Sequence, residues 1–271
     1  MHTKNCGNVD NFIKENERLE DLGIKGLKII QNPDYFCFGI DAVLLSWFAS
    51  GAVRKKSRVI DLGTGTGIIP LLLYGRTGAQ KIQALEIQEN MVEMAGRSIA
   101  CNGLEEKIEI IHGDIRNPGE QVRPTSYDVV VSNPPYMKVG HGLKNPMETK
   151  AIARHEILCG IEDIVIFAKR MLKDRGKLFL IHRADRLADI MSAMREHRVE
   201  PKRLQFIHPY ADKPANLVLV EGMKAGKPYL ITEAPIVVYE KDGRYTQMIN
   251  DIYGTSAPYD RIIKNKTAPE L

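Results

Sequence analysis

The sequence predicts a doubly wound α/β fold: a mostly parallel sheet of seven strands with an antiparallel last strand. Three observations carry that prediction. From residue 57 onward, short β-rich runs alternate with longer segments of helical spacing, the mark of a parallel sheet covered on both faces. A triplet of glycines, Gly63, Gly65 and Gly67, separates the first such run from the first such helix. The last two runs follow each other with no clear helix between them, which makes that pair antiparallel.

Taken in order, Ser57–Leu62 reads as a buried strand, with a helix from about Ile68. Lys81–Glu86 is a second strand and Glu89–Ala100 a helix, stopped by Asn102-Gly103. Lys107–His112 and Tyr127–Ser132 are the third and fourth strands. After an irregular stretch, Ile161–Leu172 has helical spacing and is closed by Lys173, Asp174, Arg175 and Gly176. Lys177–His182, a helix over Leu187–Glu196, Lys202–His208 and Asn216–Glu221 complete the domain, placed at residues 57–225. Residues 1–56 form a small extension. In it Gly26–Ile30 pairs with Tyr35–Phe38 around the turn residues Asn32-Pro33-Asp34, and a helix follows over Asp41–Ala49, with Asp41 in or before its first turn. Residues 226–271 form a second extension, with short β-like runs at Tyr229–Thr232 and Ile236–Tyr239, a polar helix near Thr246–Tyr253 and a basic tail. No linker divides two domains.

Composition bounds the function. The chain has 271 residues, 44% hydrophobic and 27% charged, in the range of ordinary globular domains. Its longest apolar runs, such as Ile68–Tyr74, are too short to span a bilayer. Met1 to Cys6 show no apolar secretory run, and Cys6, Cys37, Cys101 and Cys159 form no C-x-x-C pair. These features predict a cytoplasmic protein with reduced thiols, no structural metal and no membrane partner. A net charge of +4, with local clusters such as Arg54-Lys55-Lys56 and Lys202-Arg203, is compatible with RNA without demanding it.

The glycine loop discriminates between nucleotide sites. Val59-Ile60-Asp61-Leu62-Gly63-Thr64-Gly65-Thr66-Gly67 has Ile68 where a dinucleotide fingerprint needs its third glycine, and it lacks the Gly-Lys-Ser/Thr ending of a phosphate loop. What remains is G-x-G-x-G preceded by an acid. Asp61 can accept from an ammonium such as that of the methionine part of S-adenosylmethionine. Glu86 ends the second strand, 25 residues later, where a carboxylate can accept from both hydroxyls of a ribose. Asp114, after His112-Gly113, ends the third, near an adenine amine. Each acid alone could be a helix cap. Three at successive strand ends predict a cofactor site built from Asp61, Gly63, Thr64, Gly65, Gly67, Glu86 with Ile87, and Asp114 with Ile115.

The fourth strand runs into Asn133-Pro134-Pro135-Tyr136. An exocyclic amine conjugated to a ring is a poor nucleophile, because its lone pair is delocalised. The Asn133 side-chain oxygen and the Pro134 carbonyl can both accept from that NH2, aim it at the methyl and stabilise the charge that grows on nitrogen. Pro134 and Pro135 restrict the loop so that the acceptors are pre-set. Tyr136 can stack on a planar base. Asn133 also borders the cofactor.

With Asp61–Gly67 and Asn133–Tyr136 in place, the chain resembles the class I, Rossmann-like amino-methyltransferases, which share an (Asp/Asn/Ser)-Pro-Pro-(Tyr/Phe) motif. The resemblance covers most of residues 30–222. More narrowly, Phe38-Gly39-Ile40-Asp41-Ala42-Val43-Leu44-Leu45, Ala153-Arg154-His155-Glu156 and His208-Pro209-Tyr210 through Pro214-Ala215-Asn216-Leu217-Val218 look like the bacterial valine-tRNA adenine-N6 methyltransferase family. That resemblance implies methylation of the adenine just 3′ of a tRNA anticodon, and a place for Asp41 beside the cofactor.

Three other activities compete on the same residues. A release-factor glutamine methyltransferase shares the loop but usually carries a larger helical amino-terminal domain than the 56 residues found here. An rRNA guanine-N2 methyltransferase more often ends its loop in Phe and often has a duplicated domain. A non-catalytic RNA-binding module would have let Gly63–Gly67, Glu86 or Asn133 decay. Arg154 and His155 are candidates for substrate contact, and Lys213, Arg183 and Lys202 for phosphate contact.

Overall fold

A computed structural model describes residues 12–35, 37–135 and 160–254. Tyr136, Arg154, His155 and the basic tail lie outside the described residues.

The parallel half of the sheet follows the apolar runs closely. It comprises β3 (Arg58–Leu62), β4 (Lys81–Glu86), β5 (Ile108–His112) and β6 (Tyr127–Ser132), linked by α2 (Ile68–Thr77) and α3 (Glu89–Cys101). β3 pairs in parallel with β4 on one side and with β6 on the other, so the chain reverses its winding at β3. Past β6 come α4 (Ile161–Met171), β7 (Leu172–Arg183), α5 (Leu187–Glu196), β8 (Val199–His208) and β9 (Leu217–Lys224). β9 inserts between β7 and β8 and runs antiparallel to both, as the missing connecting helix predicts.

Two apolar layers cover this sheet. One holds α1 (Ile40–Ser50), α2 and α3 against the β3, β4 and β7 side chains; Phe48 of α1 meets Phe179 of β7 edge-on at 5.8 Å. The other packs α4 and α5, through Ile164, Phe167, Ile190 and Met194, onto the opposite face. Such two-faced burial is why β6 reads Val129-Val130-Val131 without alternation.

Three features depart from the sequence reading. The amino-terminal hairpin pairs β1 (Arg18–Asp21) with β2 (Lys28–Gln31), not Gly26–Ile30 with Tyr35–Phe38. Asn32-Pro33-Asp34 is a turn, with Asn32 accepting from Asp34 and Tyr35, but it leads toward α1 instead of joining strands. Second, Lys173–Gly176 closes no helix. β7 already pairs at Leu172 with Tyr127, and the next pair is Lys177 with Val129, so the four residues bulge out of a continuous strand. Arg175, at φ 62°, takes the sharp bend of that bulge. Third, the β-like runs after residue 226 are β10 (Ile231–Thr232) and β11 (Ile236–Val237). Both add in parallel to the β8 edge and make the sheet nine-stranded.

Both extensions share the α1–α2 core. Leu22, Leu27 and Ile29 of the hairpin, and Ile249, Ile252 and Tyr253 of α6 (Gln247–Tyr253), belong to one buried cluster with it. Thr246 caps α6 by accepting from the Ile249 amide. No helix among the described residues is long and apolar enough to cross a membrane.

Candidate active site

Parallel pairing aligns the carboxyl ends of four adjacent strands. Leu62 of β3 stands beside Ser132 of β6 and Leu85 of β4, and Glu86 of β4 beside His112 of β5. This edge, at the point where the winding reverses, is where open α/β sheets bind ligands.

The glycine loop is moulded onto it. The amides of Gly63 and Thr64 both donate to the Leu85 carbonyl, at 2.8 and 3.2 Å, so the loop folds over the end of β4. Gly63, Gly65 and Gly67 have φ of 69°, 56° and 85°, a region that side chains disfavour. At Gly67 there is a second constraint: a Cβ would lie 3.4 Å from that of Ala95 in α3, so glycine also permits close helix packing.

Asp61 is fully buried at the end of β3, and neither carboxylate oxygen has a hydrogen-bond partner among the described residues. Burial pushes its carboxyl up from 3.8 to about 7; the Glu86 carboxylate adds to the rise and the Thr64 hydroxyl opposes it. That hydroxyl, also buried, makes no hydrogen bond of good geometry. A buried acid with no hydrogen bond of good geometry beside a glycine loop is a group that a cationic ligand would compensate.

Glu86 is equally buried but satisfied. Its Oε2 accepts from the Gly65 amide at 2.9 Å, and its Oε1 from the amides of Ile87 and Gln88 at 3.0 and 2.9 Å. The carboxylate therefore braces the loop while one side remains able to accept from a ligand. Asp114 accepts from the Arg116 backbone at 2.9 Å and pairs with the Arg116 guanidinium, whose hydrogen bonds hold its carboxyl below the usual range. Ile87 and Ile115 follow the two acids, half-buried. His112 Nε2 donates to the Ile87 carbonyl at 3.0 Å, a contact that ties the ends of β4 and β5 together.

Asp41 lies in the first turn of α1, buried, with Oδ1 accepting from the Ala42 amide at 2.9 Å. A Cβ on Gly39 would approach that oxygen to 2.9 Å, so glycine there makes room for the carboxylate. At the end of β6, Ser132 donates to the Leu62 carbonyl at 3.1 Å and fixes the start of the loop. The Asn133 Oδ1 is buried and has no donor among the described residues. Pro134 is buried and Pro135 exposed.

Two polar residues escaped the sequence reading as site candidates. Gln31 is 0% exposed with both amide atoms unpartnered, and Asn216, at the start of β9 on the same sheet edge, has a buried Oδ1 without a donor. Of the expected phosphate contacts, Lys202 instead donates to the carbonyls of Lys227 and Tyr229, and Arg183 pairs with Asp185. Elsewhere, Glu162, Glu196 and His197 bring metal-ligand atoms within 4.8 Å of one another on partly exposed helix ends. An open hollow of about 360 Å³ at the opposite sheet edge is lined by Arg54, Asp128 and Lys173, the latter two joined at 2.7 Å.

Comparison with known proteins places the chain in a family. The model of the methyltransferase small domain family matches residues 39–200. A tRNA1(Val) (adenine(37)-N6)-methyltransferase of Tolumonas auensis is 33% identical over 218 residues, covering 77% of this chain and 84% of its own. A protein of the same name from Porphyromonas gingivalis is 31% identical, covering 69% and 74%. Among solved structures, a predicted O-methyltransferase from Agrobacterium tumefaciens superposes with a TM-score of 0.64 at 24% identity, over 81% of this chain and 98% of its own, a likeness of fold. The chain belongs to the methyltransferase small domain family and, within it, to the family of proteins named tRNA1(Val) (adenine(37)-N6)-methyltransferase.

Proposed function

We propose that this chain methylates the exocyclic N6 of an adenine in tRNA, at the anticodon loop of a valine tRNA, with S-adenosylmethionine as donor. The cofactor supplies an activated methyl group on a sulfonium. The chain's own residues bind and orient. Asp61 accepts from the ammonium, Glu86 from the ribose hydroxyls, and Asp114 from the adenine amine, with Ile87 and Ile115 against the ring and Asp41 closing the pocket. The amides of Gly63, Thr64, Gly65 and Gly67 bring the backbone close without side-chain obstruction. Residues 57–225 form the catalytic domain in this reading, and the two extensions close its α1–α2 side.

The single observation that carries the substrate half is the buried, donorless Oδ1 of Asn133. It follows the strand beside Asp61, so an amine donating to it sits next to the cofactor site. The Pro134 carbonyl provides a second acceptor, and Tyr136 stacks on the base. Together they hold the amine lone pair toward the methyl and stabilise the charge developing on nitrogen. No general base is needed, since the methylated ammonium loses its proton readily to water. An adenine in a loop reaches such a site at low unstacking cost. The names of the relatives from two bacterial genera support the choice of tRNA and of N6, and with it a cytoplasmic location.

The test is methylation of total bacterial tRNA by the purified protein and labelled cofactor, followed by nucleoside digestion and mass analysis. N6-methyladenosine in a valine tRNA is the expected product. Label found only on a glutamine of a release factor would replace the substrate and keep the loop chemistry.

A further inference from the structure

Gln31 is fully buried at the end of β2, and its primary amide makes none of its hydrogen bonds among the described residues. An amide offers one acceptor and two donor hydrogens, and burying all of them unpaired is unfavourable. Packing alone would be served better by an aliphatic side chain, like Ile29 and Ile30 just before it, both also 0% exposed.

The position of the amide follows from three anchors. At the start of β2, Ile24 and Leu27 press on Gly75 near the end of α2, where a Cβ would meet them at 3.0 and 3.1 Å. The Lys28 amide donates to Asn102 at the end of α3, and the Ile30 amide to Ser98 one turn earlier. β2 thus runs along α3, with the loop before it against α2, from the carboxyl ends of the helices toward their amino ends. From Leu27 to Gln31 a strand advances about 13 Å. From Gly75 back to Gly67 a helix spans about 12 Å, and from Asn102 back to Ala95 about 10 Å. Gln31 therefore arrives level with the Gly67–Ala95 contact, where the glycine loop enters α2. Strand alternation puts its side chain on the face of Ile29, which packs among the core residues of α2 and α3.

We infer that Gln31 is a cofactor ligand whose amide holds the amino-acid end of S-adenosylmethionine, an inference that rests on the reading of this edge as the cofactor site. Asp61, the acid of β3, leads through the same loop into α2, and it is likewise buried without a partner. A carboxylate and an amide on either side of one loop match an α-amino acid: Asp61 accepts from the ammonium, while the Gln31 NH2 donates to the carboxylate. The adenine-facing acid, Asp114, belongs to the far side of β4.

Calorimetry of the full chain tests this with two ligands, S-adenosylhomocysteine and 5′-methylthioadenosine, which lacks the amino-acid end. Gln31→Leu should weaken S-adenosylhomocysteine at least tenfold, leave 5′-methylthioadenosine within twofold, and leave the ligand-free Tm unchanged or higher. Gln31→Glu, which sets an anion against the carboxylate, should show the same selectivity with a larger loss; Gln31→Met substitutes for the leucine variant if that one does not fold. Unchanged S-adenosylhomocysteine affinity, or an equal loss for both ligands, would overturn the assignment. Failure of the wild-type chain to bind S-adenosylhomocysteine would instead remove the underlying reading of the site.

Discussion

Asp61 should make cofactor binding a proton-releasing event. Its carboxyl sits at about 7, chiefly because burial strips it of solvent and secondarily because Glu86 repels a second charge. If only the ionised acid pairs with the ligand ammonium, the fraction competent to bind is about one in a hundred at pH 5 and about one half at pH 7. The Kd for S-adenosylhomocysteine should then fall about 50-fold between those values and level off above pH 8, with about half a proton released per ligand at pH 7. Calorimetry in buffers of different ionisation enthalpy counts that proton directly. Stability without ligand moves the opposite way. A carboxyl raised from 3.8 to about 7 makes the folded chain bind more protons than the unfolded one in that window. Its stabilising effect is therefore complete below pH 4 and is lost as pH rises through 7, by at most about 4 kcal/mol. Asp61→Asn removes both effects: weak, pH-independent binding, and a ligand-free Tm that no longer carries this acid's fall toward pH 7. Wild-type binding that is flat from pH 5 to 7 with no proton released would refute the role of Asp61.

Three further outcomes are expected. Asn133→Ala should abolish methyl transfer while leaving the cofactor Kd within about twofold, because its buried oxygen faces the substrate amine; retained single-turnover rates would contradict that. Glu86→Ala should weaken S-adenosylhomocysteine by about 1.5–3 kcal/mol, the worth of hydrogen bonds to a charged group, and should also loosen the Gly65 amide that it braces, read as faster hydrogen exchange there. Equal exchange in the variant would mean that the loop holds itself. Arg97 forks onto Glu17 with two contacts of 2.6 Å and reaches Glu93 at 2.7 Å, binding the segment before β1 to α3. Arg97→Ala leaves the Glu17 carboxylate, its side chain 4% exposed, with only the Lys14 amide as donor, and should cost about 2 kcal/mol, a fall in Tm of several degrees.

What could be read in the sequence follows from how locally it is determined. β6 and α5 match their expected limits residue for residue, since an apolar run or a helical stripe needs no partner to be recognised. The hairpin differs from the expectation because Asn32-Pro33-Asp34 is the strongest local turn signal, whereas the connecting loop turns on Gly23 and Gly26, both at φ 67°, and on Lys25 at φ 50°, which no sequence signal marks. Its first strand, Arg-Leu-Glu-Asp, has little β propensity and is held by pairing with β2 and by the Arg97 anchor nearby. β10 and β11, two residues each, fall within the expected runs, but their addition to the β8 edge depends on a distant partner that no local pattern announces. Among site residues, the strand-end acids were legible from spacing, but the pairing of Asp114 with Arg116 was not. Gln31 reads as the polar end of an apolar run; its burial comes from tertiary packing of β2 on α3, which no local pattern announces.

The polar groups at this sheet edge, joined by Gln31 of the hairpin in the inference above, divide into two kinds, and on the proposed reading the division sets where binding energy arises. Glu86 and Asp114 are already satisfied by backbone amides and by Arg116, so a ligand's donors there largely replace or supplement existing bonds. Asp61, Thr64, Asn133 and Gln31 are buried at the relevant atoms with no hydrogen bond of good geometry among the described residues, and each costs the folded chain about 1–3 kcal/mol. A ligand that pairs them recovers that free energy without breaking anything in exchange. The satisfied acids hold the glycine loop in shape before any ligand arrives, and the unsatisfied groups supply the net gain. On the proposed reading, such a site favours ligands carrying an ammonium, a carboxylate and a planar amine over any that merely fill its volume, because an apolar occupant would leave all four groups without a ligand partner.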